Sequence, residues 1–136
     1  MRITHTIIKA IIAHAKKELP YEACGYLAAE GDLVVSHYEL TNLDKAADHF
    51  NMDPEEQFAA VKEMRENGLN LYAVYHSHPE TPARPSTEDI RLAYDPDINY
   101  VIISLAPGPA NIRSFRIQKG KVLPEPLDII DSPATN

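Results

Sequence analysis

Two histidines one residue apart, His76 and His78, and an aspartate further along, Asp89, are the densest set of metal-binding side-chain types in the chain. In an extended backbone, residues i and i+2 project from the same face, so both imidazoles can reach one point. Two imidazoles and a carboxylate make three ligands with a fourth position open, the donor set of a catalytic zinc site. Structural sites usually close with four protein ligands, commonly including cysteines, and Cys24 is the single cysteine here. An open zinc lowers the pKa of a water enough for it to attack an amide carbonyl. That water's proton needs an acceptor, and a carboxylate outside the ligand set serves. Glu22 is the candidate, because it stands just before a run of small residues suited to a strand beside the histidine strand. Glu80 and Glu88 are the alternatives nearer in sequence. Ser86 is left to donate a hydrogen bond to a tetrahedral oxyanion.

Competing readings apply to two of these residues. Ser86-Thr87-Glu88-Asp89 also matches a capping box, in which Asp89 folds back on the chain instead of reaching out to a metal. Glu22, taken from its own segment alone, reads as a solvated carboxylate at a strand start.

A scaffold has to deliver these groups. From about Thr6 to Glu18, Ile7, Ile8, Ile11, Ile12 and Ala15 recur at helical spacing, Lys16 and Lys17 suit a helix end, and Pro20 stops the helix. His5 and His14 are expected on its flanks. Glu22–Ala29 and Leu33–Leu40, joined by Glu30-Gly31-Asp32, read as a β-hairpin. Residues 41–51 are polar and irregular, with a short strand expected around His49 to Met52; they form either a flap over the substrate or a plain connection. Asp53-Pro54-Glu55-Glu56 starts a helix running to about Asn67, with Phe58, Val61 and Met64 as its core stripe and Gly68 after its end. Leu71–Tyr75 is a buried strand with His76 at its end. Pro79, Pro82 and Pro85 hold the following loop in shape. Further strands are expected at Tyr100–Leu105, at Ile112–Ile117 and, once or twice more, within Lys121–Ile130. Asp131–Asn136 reads as a frayed terminus, leaving one domain over residues 1–130.

Composition narrows the partners. A net charge of −7 with no cluster of Lys and Arg argues against nucleic acid. Every apolar run is broken well short of the ~18–20 residues a membrane helix needs. No signal-peptide-like run follows the start, so a cytoplasmic protein is expected. Cys24, between Ala23 and Gly25, is expected to be a small buried residue and not a nucleophile. Oligomeric state is open, a homodimer included.

At these residues the chain resembles the JAMM (JAB1/MPN/Mov34) metalloproteases, whose pattern is an upstream Glu, then His-x-His, seven residues, Ser, two residues and Asp. Here it runs Glu22, His76-Ser77-His78, Pro79 to Pro85, Ser86 and Asp89, without departure in type or spacing. The likeness extends to Pro20–Gly25 and to His49-Phe50-Asn51-Met52-Asp53-Pro54, so it covers nearly the whole chain, like a short stand-alone bacterial member. It implies an α/β/α sandwich around a curved mixed β-sheet, akin to cytidine deaminases. It also implies Zn2+ on His76, His78 and Asp89, Glu22 as acid and base, and Ser86 as oxyanion donor. The activity implied is cleavage after the C-terminal diglycine of a ubiquitin-like sulfur-carrier protein, whose extended tail could add to a sheet edge. The alternatives are a non-catalytic MPN binding scaffold, or a zinc peptidase acting on small peptides. Deaminase chemistry expects His-x-Glu with Pro-Cys-x-x-Cys, which a single cysteine excludes.

Overall fold

The computed structural model describes residues 1–131. The segment expected to fray lies, from residue 132 onward, outside the described residues. In chain order the elements are β1 (Arg2–Thr4), α1 (His5–Lys17), β2 (Cys24–Glu30), β3 (Leu33–Leu40), α2 (Pro54–Glu66) and β4 (Asn70–His78). They continue with α3 (Thr87–Arg91), β5 (Asn99–Ser104), β6 (Asn111–Gln118), β7 (Lys121–Glu125) and β8 (Asp128–Ile130). The eight strands form one mixed sheet in the order β7-β6-β5-β4-β2-β3-β1-β8. Its two edge strands follow one another in sequence with only Pro126 and Leu127 between them, so the sheet has to curl.

Helices cover both faces. On one, Ile7, Ile8, Ile11 and Ala15 of α1 pack on Leu27, Ala73, Tyr75, Val101 and Ile103. On the other, Ala60 and Met64 of α2 pack on Cys24, Tyr26 and Ala28, while Ile90 of α3 packs on Ile102, Phe115 and Ile117. The α/β/α sandwich around a curved mixed sheet is therefore present. No helix among the described residues is long and apolar enough to cross a membrane.

The hairpin, both helix starts and the buried strands stand where the spacing put them, but several particulars differ. β1 was not expected, because three residues carry no readable period; it is a strand only through its parallel pairing with β3 and β8. His14 is not on a flank. It is 2% exposed, in phase with Ile7 and Ile11, and its Nδ1 shares a 2.7 Å hydrogen bond with the Tyr75 hydroxyl. Burial pulls its pKa down against the raising effect of Glu39 and Glu18. Phe58 is not core: it is 74% exposed. Steps of three drift around a helix by about 60° each, so 58, 61 and 64 cannot all face inward. The inward line is instead Gln57, Ala60 and Met64, and the Gln57 amide donates to the Tyr26 hydroxyl at 2.7 Å. The expected strand around His49 to Met52 shrinks to a single bridge between Asn42 and Met52. β4 does not end at His76; its parallel pairing with β5 continues to His78 opposite Ser104.

β4 has a partner on each side, antiparallel β2 and parallel β5. Its end is therefore not a sheet edge, and a substrate tail added to β7 or β8 would lie away from the histidines. The close approach of β2 to its neighbours depends on Gly25. A Cβ there would stand 2.3 Å from the Tyr38 carbonyl oxygen and 2.5 Å from the Tyr75 ring. Backbone cannot yield as a side-chain tip can, so Gly25→Ala is expected to cost about 3 kcal/mol or more in denaturant unfolding. A midpoint unchanged from the parent would refute this packing.

Candidate functional site

Along β4 the side chains alternate. Tyr75 joins the α1 core and Val74 the α2 core, so His76 and His78 continue on the α2 and α3 face. The loop after Pro79 returns the chain so that α3 begins opposite them. There the Nε2 atoms of His76 and His78 lie 3.1 Å apart, and Asp89 Oδ2 lies 3.2 Å from the first and 3.1 Å from the second. His78 Nδ1 is 2.9 Å from the Pro82 carbonyl oxygen. A carbonyl can only accept, so Nδ1 carries a hydrogen, and Nε2 is the nitrogen left to face Asp89 and a metal. Phe50 covers His76, with ring centroids 4.9 Å apart and planes 30° from parallel.

The capping box and the outward-reaching carboxylate turn out not to be alternatives. Asp89 Oδ2 accepts the Ser86 N–H at 2.9 Å and is also the oxygen that faces both imidazoles. Ser86 Oγ accepts the Asp89 N–H at 3.0 Å, which leaves its O–H free to donate. Burial alone would raise the Asp89 pKa, but hydrogen bonds from His76 and His78 overcome it and hold the carboxyl well below its usual range. For His78, burial is likewise outweighed by Asp89 and Pro82, and its pKa rises.

These contacts amount to a test for a metal. A tetrahedral ion with bonds of about 2.0–2.1 Å spaces its ligand atoms about 3.3 Å apart, close to the observed triangle. Two imidazole nitrogens and a carboxylate oxygen converging this tightly require a shared proton or a cation between them. The donor set and its spacing fit a metal ion, and among the described residues this is the group of His, Cys, Asp and Glu side chains that converges.

Glu22 reaches the same place through sheet register. Cys24 pairs with His76, and one step further the Ser77 N–H donates to the Ala23 carbonyl at 3.0 Å while the Ala23 N–H donates to Ser77 Oγ at 2.8 Å. This zipper carries Glu22 to the level of His78. Its carboxyl is not solvated: the residue is 3% exposed, and Oε1 has no hydrogen-bond partner. Burial pushes its pKa up to about 8, against the pull of His78 and with the repulsion of Asp89. By contrast Glu80 is exposed and Glu88 is half-buried. A groove of about 400 Å³ runs from His76 and Asp89 between α2 and α3, floored by Tyr26, Val74, Tyr100 and Ile102. Cys24 is fully buried with its thiol pushed up to about 12, an inert packing residue.

Ser77, Phe50 and Pro82 were not singled out from the sequence, although each touches the site. A serine inside an apolar strand was the one available signal for Ser77. Phe50 and Pro82 act through a ring face and a backbone carbonyl, which residue type does not announce.

Residues 4–118 match the family model described as prokaryotic homologs of the JAB domain. The chain belongs to the prokaryotic JAB-domain family. Among its relatives is a protein named CysO-cysteine peptidase from Mycobacterium tuberculosis, 36% identical over 128 residues, covering 92% of this chain and 88% of that protein. The solution structure of DSY2949 from Desulfitobacterium hafniense is 46% identical, with a TM-score of 0.88 over 96% of this chain and 93% of that one. AF2198, a JAB1/MPN domain protein from Archaeoglobus fulgidus, is 21% identical with a TM-score of 0.67, covers 96% of this chain and the whole of that one, and shares the fold. With a peptidase as a relative over nine-tenths of its length and the donor group intact, this JAB-domain protein is a hydrolase.

Proposed function

We propose that this JAB-domain protein is a zinc-dependent peptidase or isopeptidase that cuts after the C-terminal diglycine of a ubiquitin-like sulfur-carrier protein. The observation that carries it is the buried Glu22 carboxyl, its Oε1 without a partner, which the β2–β4 register brings to the level of His78 and which interacts with the charges of His78 and Asp89. The peptidase name of the mycobacterial relative supports the substrate class.

His76, His78 and Asp89 would hold the ion. When bound, it supplies Lewis acidity and a water whose pKa is lowered toward ~7. Glu22 takes the proton from the attacking water and passes it to the leaving amine. A carboxyl tuned near the working pH can perform both transfers, which one with an ordinary pKa does poorly. Ser86, its O–H unspent, donates to the oxyanion of the tetrahedral carbonyl carbon. Pro82 fixes the His78 tautomer, and Phe50 keeps water from the His76 face. The groove that leads to the donors, lined by Phe50 and Pro85, is where an extended glycine tail would lie. A cytoplasmic location belongs to the same reading.

The test is to incubate the zinc-loaded protein with ubiquitin-like carriers extended beyond Gly-Gly and weigh the products. Cleavage at the glycine carbonyl is expected, and it should stop when the metal is chelated. Intact carriers together with cleaved short peptides would replace this substrate with small peptides. Failure to bind zinc at all would favour a binding scaffold.

A further inference from the structure

At the carboxyl end of Glu22, Oε1 is buried without a hydrogen-bond partner. Both backbone groups of Glu22, by contrast, are gripped by the loop after β3. The Glu22 N–H donates to the Ala46 carbonyl at 2.8 Å, and the Glu22 carbonyl accepts from Asn42 Nδ2 at 3.1 Å. Asn42 does more than this. The same Nδ2 donates to the His49 carbonyl at 3.0 Å, and Oδ1 accepts the N–H of Asp44 at 3.2 Å and of Asn51 at 3.1 Å. All four hydrogen-bonding positions of one amide are therefore filled. On one side they hold the strand start that carries Glu22, and on the other both ends of the loop that lays Phe50 over His76.

We infer that Asn42 is a positioning residue for the proposed hydrolysis, setting Glu22 against the metal donors by tying its carbonyl to the loop that carries Phe50. This rests on the function proposed above. The logic is one of geometry. A proton-transfer group loses rate steeply when it shifts by about 1 Å. An unpartnered carboxylate in a buried site has no local hydrogen bond to correct such a shift. Asn42 touches neither substrate nor donors, so it acts through what its amide holds: the Glu22 carbonyl and the loop that carries Phe50.

The isosteric Asn42→Asp separates the two halves of the amide. Its carboxylate still accepts from Asp44 and Asn51 but cannot donate, and it faces the Glu22 and His49 carbonyls with negative charge. In the metal-free protein, hydrogen exchange at the Glu22 N–H is expected to quicken by at least about tenfold, with secondary structure retained. In the zinc-loaded protein, kcat is expected to fall by at least about 30-fold, with KM and zinc affinity within about threefold of the parent. Asn42→Ser, which can still donate one hydrogen bond, provides a second variant should Asn42→Asp not fold, and it is expected to fall between the two. A double-mutant cycle adds the decisive readout. In a Glu22→Gln background, Asn42→Asp is expected to cost no further rate. An additive loss would show that Asn42 acts by a route other than Glu22 and would overturn the inference, as would parental kcat and exchange in Asn42→Asp. If Glu22→Gln itself turned over normally, the function proposed for Glu22 would fail instead, and the cycle tells the two failures apart.

Discussion

Glu22→Gln is expected to reduce cleavage by about 10³-fold or more while leaving metal content at one ion per chain, because the amide keeps the shape but can neither take nor give the proton. The same substitution has an opposite effect on stability. The Glu22 pKa is raised in the folded protein to about 8, so between the ordinary carboxyl pKa near ~4.3 and about 8 the folded state holds a proton that the unfolded state has released. Stability from this group is full below the unfolded value and is lost as pH rises through about 8. Metal-free Glu22→Gln should therefore gain stability relative to the metal-free parent as pH rises toward about 8, and its own stability should vary less across that window. Denaturant unfolding at several pH values, alongside turnover, checks both halves. Faster unfolding of the variant at pH 8 would mean that the carboxyl is satisfied in a way its unpartnered Oε1 does not show.

Asp89→Asn should separate metal affinity from local structure. Replacing an anionic ligand by a neutral amide is expected to weaken zinc by more than about 100-fold, since loss even of a supporting partner to a ligand costs 10–100-fold. The amide oxygen can still accept the Ser86 N–H, so the start of α3 should survive and metal-free stability should fall by less than about 1 kcal/mol at neutral pH. Asp89→Ala removes both functions and should cost about 1 kcal/mol more. As pH falls the parent should lose zinc, because protons compete with the metal for the imidazole nitrogens. Zinc titrations of the three proteins across pH 5.5–7.5 give the comparison, and parental affinity in Asp89→Asn would remove Asp89 from the donor set.

The donors were legible because their relation is local. His76 and His78 are two residues apart in a strand, and Ser86 and Asp89 share a helix start, so short-range geometry brings each pair together. Glu22 was not legible in that way. It joins them only through the Cys24–His76 register and the Ala23–Ser77 bonds, which no spacing encodes; its place before a small-residue strand set it ahead of Glu80 and Glu88, and the family likeness agrees with that choice. The misplaced residues share a cause. Phe58 follows a three-residue interval that looks helical but rotates off the inward line, while Gln57 points inward because Tyr26 waits there with a hydroxyl. His14 looked polar enough for a flank although its phase was that of the core, and the partner that makes burial tolerable, Tyr75, lies 61 residues away. β1 exists only because its neighbours do.

The two outermost strands of the sheet bear on how the molecule meets copies of itself. Unpaired strand edges are templates for aggregation when they are long, flat and apolar. Here β8 offers three residues, and β7 offers five that include Pro124, which contributes no N–H. Because Pro126 and Leu127 alone separate them, the two edges are brought near each other by the curl of the sheet. The protein's defence against edge-to-edge self-association is thus built into residues 121–130 and owes nothing to the His76, His78 and Asp89 group.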